Sequence, residues 1–243
     1  MKNKTTTNNS RFIKSAFTLA ETLIVIGIIG VVAALTLPNL NHATGDKERV
    51  TRVKKAYSGL TEAFDRAQAI YGDYDTWEEH NCSTVVCKAR RITEFMKISK
   101  DCGIDANKGC FKSGYVKFQH NGQNWTTIDD QSYIYKVMTA DGMSIAFWPN
   151  GDASVDIDGP NRGKFTMGYD YFNFKIANNM INLPCTGLIY TFSQLKNYVN
   201  KSADGSCSTY WIINYDNMDY LHFDDDGNCD NGNVVTESNP SCN

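Results

Sequence analysis

At 243 residues, with 42% apolar and 21% charged residues and a formal charge of −3, the chain is long enough to bury a real core in one sizeable domain or two small ones. The charge is unevenly spread. Lys2, Lys4, Arg11 and Lys14 precede Phe17 and no acid does, so the remaining body is acidic, without broad affinity for phosphate backbones, and nucleic-acid binding is not expected.

Residues 1–16 are polar and basic, lack apolar periodicity and have no reason to fold alone. Residues 19–37 then form an apolar run whose single charge is Glu21, close to the ~20 residues needed to cross a ~30 Å hydrocarbon core. The basic leader stays cytoplasmic and the chain beyond the run is exported. A secretory signal would place a small-residue cleavage site after the run, but the small residue, Ala16, lies before it. An ionised carboxylate in hydrocarbon costs several kcal/mol unless paired. Glu21 therefore either meets a cation at its own depth or, one turn from the start of the span, reaches interfacial water.

The segment Ser15-Ala16-Phe17-Thr18-Leu19-Ala20-Glu21 resembles the cleavage and methylation segment of type IV pilins and type II secretion pseudopilins. The likeness covers about residues 14–40. It implies that a membrane prepilin peptidase cuts between Ala16 and Phe17, that the new amino group on Phe17 is N-methylated, and that Glu21 is kept in the membrane helix to pair with the Phe17 amine of a neighbouring subunit. The family usually has Gly before the cut. Here Ala16 replaces it, one small residue for another. A helix-breaking proline, Pro38, matches a further hallmark.

Beyond Pro38, where a kink or local melting is expected, Val50, Val53, Tyr57, Leu60, Phe64, Ala67 and Ile70 recur at steps of three and four. They make one apolar stripe on an amphipathic helix that Gly72-Asp73 ends. A short helix is predicted over 91–98. Strands are predicted over 115–119, 132–138, 143–148 and 153–157, separated by Asn121-Gly122, Asp141-Gly142 and Asn150-Gly151, which are strong hairpin signals. A helix is expected over 191–199 and two more strands over 210–215 and 219–223.

All eight cysteines come after the apolar run, which argues for disulfides in an oxidising compartment. No CxxC pair occurs and the four His are dispersed, so a zinc site is disfavoured. Eight cysteines allow about a hundred pairings; the pairing expected joins neighbours in sequence, 82 with 87, 102 with 110, 185 with 207 and 229 with 242.

Asp156, Asp158 and Asp170 offer hard oxygen ligands suited to Ca²⁺, and the segment resembles one in which some type II pseudopilins bind calcium. The alternative is an Asx-turn in which the carboxylates cap their own backbone. A second acidic loop, 224–230, lacks the Glu of an EF-hand, its twelfth position being Val235. Asp129 and Asp130 read as a solvated turn. The aromatics of 169–174 are either a glycan or partner surface or core. Nucleophile, zincin and phosphate-loop motifs are absent, and no enzyme is expected.

Together these features predict an α+β chain: a leader at 1–16, a transmembrane and assembly helix at 17–38, an amphipathic helix at 39–72 and an exported, disulfide-stabilised domain at 73–243. In that domain an antiparallel sheet packs on the helix. The expected role is a single-pass inner-membrane subunit of a pilus or secretion pseudopilus, its domain in the periplasm or at the cell surface, with prepilin peptidase and other subunits as partners. The alternative is a minor or tip module that binds a partner or glycan.

Overall fold

A computed structural model describes residues 19–119, 122–187, 191–201, 205, 207–224 and 226–242; the side chains of 33–44 and of Lys201 lie outside that description. The chain divides into two compact units at Thr44/Gly45. In the first, the described residues are helical and belong to α1 (Leu19–Tyr71).

The second unit is α+β. A six-stranded sheet has the order β1 (Ile98–Gly103), β4 (Tyr135–Thr139), β5 (Ser144–Phe147), β6 (Asp152–Asp156), β7 (Tyr171–Ala177), β8 (Met180–Asn182), with every neighbouring pair antiparallel. Asp141-Gly142 and Asn150-Gly151 turn β4 into β5 and β5 into β6, and both glycines take the positive φ that such hairpins need. A separate ribbon pairs β2 (Tyr115–Lys117) with β3 (Asn124–Thr127).

Alternation along the strands splits the core in two. One face of the sheet sends Val137, Ile145, Phe147, Val155, Phe172, Phe174 and Ile176 against the α1 residues of this unit. There Val53, Leu60, Phe64 and Ala67 are fully buried and Tyr57 stacks on Phe174 at 5.9 Å between centroids. The predicted stripe holds except at its end. Ile70 is 67% exposed, and the half-buried Tyr71 carries the packing to Trp77, edge to face at 6.3 Å. The opposite face sends Ala146 and Tyr171 against Phe111, Val116, Ile128 and Ile134, from an excursion over 110–134 that covers β4 and β5.

Three predicted elements differ. The helix expected at 91–98 starts earlier, as α2 (Val85–Thr93), because Thr84 caps it by accepting the Cys87 N–H; the chain then enters β1. The strand-like run 210–215 is part of a helix, α4 (Cys207–Tyr215), following α3 (Phe192–Lys201). Its β-branched and aromatic residues favour a strand locally, but Cys207, Ser208, Trp211 and Ile212 are buried together at helical spacing. Tertiary packing overrides propensity here. The second of these strands is a 3₁₀ turn, Asp219–His222. In addition β1, β3, β7 and β8 were absent from the predicted set.

All four disulfides join neighbours in sequence, Cys82–Cys87, Cys102–Cys110, Cys185–Cys207 and Cys229–Cys242. Cys185–Cys207 ties the start of α4 to the chain leaving β8. Removing such a constraint typically costs about 2–5 kcal/mol.

Candidate functional site

Two regions carry the residues singled out in the sequence. The first is the start of α1. Ala16 and Phe17 lie outside the described residues, whereas Glu21 lies in the first turn of α1, where Thr22 donates from its Oγ1 to the Leu19 carbonyl at 2.9 Å. Leu23, Ile24, Val25 and Ile26 are each more than half exposed, as are Leu19, Ile28, Ile29, Val31 and Val32. At 3.6 residues per turn, four consecutive exposed apolar side chains already circle the helix. A helix that is apolar on every side needs an apolar environment, either a large core or lipid. Among the described residues no helix is long and apolar enough to cross a membrane; in the sequence the run continues over 33–37, whose side chains are not described.

The second region is the turn after β6. Asp156 ends the strand, and its Oδ1 accepts the N–H groups of Asp158 and Gly159, each at 3.0 Å. Its Oδ2 is buried without a hydrogen-bond partner. Asp170, just before β7, accepts through Oδ2 from the Phe165 N–H at 2.8 Å and from the Lys164 N–H, and through Oδ1 from the Thr166 N–H at 2.5 Å. Between them sits Gly163, where an added Cβ would strike the Oδ2 atoms of both Asp170 and Asp158. Only glycine lets the turn close so tightly over these carboxylates.

Asp158 is instead paired with a cation. Arg52 of α1 lies 3.7 Å from its Oδ1 and donates to the Ile157 carbonyl at 2.8 Å, so the turn is pinned to the helix. Burial first, then the neighbouring Asp170 charge, pushes the Asp156 carboxyl well above the usual carboxylate range. Burial raises Asp170 as well, against three backbone N–H groups that favour its ionised form. The fold brings Asp156, Asp158 and Asp170 to one turn, where Asp156 Oδ1 and both oxygens of Asp170 cap backbone N–H groups and Asp158 pairs with Arg52. The Asp156 bonds, to N–H groups two and three residues on, make an Asx-turn, whereas those of Asp170 run to residues four to six before it. Among the described residues there is no group of three or more His, Cys, Asp or Glu that could hold a metal ion.

The second acidic loop has the same pattern. Asp224 Oδ1 accepts the N–H groups of Asp226 and Asn228 at 3.0 and 2.9 Å, within a loop tied by Cys229–Cys242.

Two buried charges escaped the sequence reading. Asp129, where the sequence predicts a solvated turn, is 6% exposed. Its carboxylate accepts the N–H groups of Gly109, Cys110 and Phe111 at 3.0–3.2 Å. Lys136, the second residue of β4, is fully buried and donates to the carbonyls of Asp129 and Gln131 at 3.1 and 2.5 Å. Burial lowers its pKa, with Asp129 opposing the shift. A polar pair that anchors a loop this way leaves no trace in hydrophobic periodicity. Of the aromatics at 169–174, Tyr171, Phe172 and Phe174 are core.

No family model matches the chain, and neither a curated protein nor a solved structure matches it.

Proposed function

We propose that the chain is a structural subunit of a type IV pilus or type II secretion pseudopilus, without catalytic activity. The observation that carries this reading is the start of α1, a helical stretch from Leu19 to Val32 whose apolar side chains are exposed on all sides, directly after the Ser15-Ala16-Phe17-Thr18 segment. In this reading residues 1–16 are removed by prepilin peptidase, and residues 17–38 hold the chain in the inner membrane as a single span. Residues 39–72 continue the helix onto the sheet, and residues 73–243 are exported to the periplasm or cell surface, where the four disulfides form. Lipid covers the apolar stretch before assembly, and the same stretch of other subunits covers it afterwards.

Within the filament, Glu21 sets the axial register by meeting the Phe17 amine of a neighbour, an ion pair strengthened by the low dielectric around it. The test is Glu21→Ala in cells that carry the matching assembly machinery. Processing at Ala16/Phe17 and membrane retention are expected to persist while filaments disappear. Filaments of normal number and length would contradict the assigned pairing.

A further inference from the structure

Charge is unevenly spread over the unit from Gly45 onward. Residues 111–128 and 159–169 contain no Asp or Glu although the body is acidic, and the fold lays these two segments side by side. Lys117, at the end of β2, accepts the Met167 N–H at its carbonyl at 2.8 Å and donates its own N–H to the Phe165 carbonyl at 3.1 Å. Lys112 Nζ donates to the Gly163 carbonyl at 3.1 Å. Lys164 Nζ stands 3.9 Å from the centre of the Tyr169 ring, over which Arg49 of α1 also lies, at 4.0 Å. Lys117, Arg162 and Lys164 are exposed and Lys112 is half-buried. None of the four joins an ion pair among the described residues. The acids of the adjoining turn are already engaged, Asp158 by Arg52 and the buried Asp156 and Asp170 by backbone N–H groups.

The opposite charge gathers on the loop 224–230. Asp224, Asp226 and Asp230 are exposed and, among the described residues, form no ion pair. Lys196, which reaches this loop, gives its ammonium to Asn228 Oδ1 at 3.4 Å and to the Val235 carbonyl at 3.3 Å. The loop is held in shape by Cys229–Cys242, by the Asp224 cap and by the Asp224 N–H, which donates to the Asn228 carbonyl at 2.7 Å. Its carboxylates are therefore presented by a pre-ordered backbone, which lowers the entropy lost on contact.

Both patches flank one seam. Tyr220 donates from its hydroxyl to the Gly168 carbonyl at 2.5 Å, which joins the turn before the acidic loop to the turn after Arg162 and Lys164. Two patches of opposite sign that are not paired within the chain can pair between two copies. Each copy carries one of each, so the contact runs head to tail and repeats along a helical assembly. A nucleic acid or an anionic membrane drawn to the basic patch would meet the acidic loop across the same seam and be repelled by it.

We infer that the patch of Lys112, Lys117, Arg162 and Lys164 on one copy docks on the loop of Asp224, Asp226 and Asp230 on the next. The inference rests on the filament reading and adds to it a contact outside the apolar stretch. Charged contacts of this kind fix register and exclude wrong neighbours more than they supply affinity.

The test uses the full chain in cells that carry the matching assembly machinery. Arg162→Glu with Lys164→Glu and, separately, Asp226→Lys with Asp230→Lys are each expected to cut the number of filaments about tenfold or more, because like charges then face each other. All four changes in one chain restore opposite charges across the contact and should bring filaments back to within about threefold of the parent. These four side chains make no hydrogen bond among the described residues, so processing, membrane retention and unfolding midpoint should match the parent's. Should a lysine variant unfold early, Asp226→Asn with Asp230→Asn supplies the readout, with an expected loss of about threefold. Parent-like filament numbers in both reversed variants, or a combined variant no better than either alone, would overturn this contact and leave assembly through residues 17–38 standing. A parent chain that forms no filaments would overturn both.

Discussion

Residues 19–32 and residues 50–67 belong to one helix and are both rich in apolar side chains, yet their surroundings are opposite. In the later stretch Val53, Leu60 and Phe64 are wholly buried; in the earlier one Ile26 is 66% and Ile28 60% exposed. The difference comes from patterning. From Lys47 to Arg66 charged residues interrupt the apolar ones at helical spacing, leaving one stripe for the sheet and one face for water. From Leu23 to Val32 nothing polar intervenes except glycine, so no single packing partner within the chain could cover the whole circumference. The first pattern encodes a fold and the second encodes a surrounding medium.

The charged face of the later stretch is also more structured than a solvated face needs to be. Lys55 lies 2.7 Å from Asp141 and Lys54 2.5 Å from Asp216, while Arg52 holds the turn at Asp158. Exposed pairs of this kind are worth little individually, about 0–1 kcal/mol. Their spacing along α1 places one at the β4–β5 turn, one after β6 and one after α4.

Substitutions that remove the same kind of side chain from the two stretches should separate them sharply. Phe64→Ala is expected to destabilise the domain by about 3–5 kcal/mol in thermal or denaturant unfolding, through lost burial and the cavity left behind. Ile28→Ala should leave the domain's unfolding within about 0.5 kcal/mol of the parent. Equal losses from the two would mean that the early stretch has a partner within its own chain. Next in size, replacing Cys185 and Cys207 together by Ser should lower stability by about 2–5 kcal/mol. It should loosen α4 and leave the β4–β5–β6 region protected in hydrogen exchange; uniform loss of protection would show that α4 and the sheet unfold as one unit.

A smaller, pH-dependent gain comes from the turn beneath Arg52. Because the folded-state pKa of Asp156 lies above its unfolded value of about 3.9, the folded protein holds this proton longer. Stability from this group is fully present below pH ~4 and is lost as pH rises through the raised folded value. Asp156→Asn keeps an acceptor for the Asp158 and Gly159 N–H groups and cannot ionise. It is expected to be more stable than the parent by about 1–3 kcal/mol at pH 7 and equal to it below pH ~4. A gap that does not change with pH would remove the buried charge as its cause.

How much of this was legible in the sequence depends on the range of the interactions involved. The α1 stripe and the Asp141-Gly142 and Asn150-Gly151 hairpins are written in local spacing, whereas the cysteine pairing, one of about a hundred possible, is fixed only by the fold. Helix α4 was misread because Tyr210, Trp211, Ile212 and Ile213 favour strands locally, and only their burial with Cys207 selects a helix. Strand β7 was hidden by its own polar residues, Asn173 and Lys175, which face a cleft rather than the core. Asp129 and Lys136 act on backbone groups up to twenty residues away, beyond any periodic signal. The ring cluster of Trp125, Tyr133 and Trp148 comes from three separate segments, so composition alone could not assemble it.

Assembly as proposed requires the start of α1 to be the first turn of a processed, membrane-held helix. Mass spectrometry of the amino terminus of the chain purified from its own membranes tests this most directly. The expected result is a mature chain that begins at N-methylated Phe17. A chain that retains Met1, or one that begins after Leu37, would contradict it.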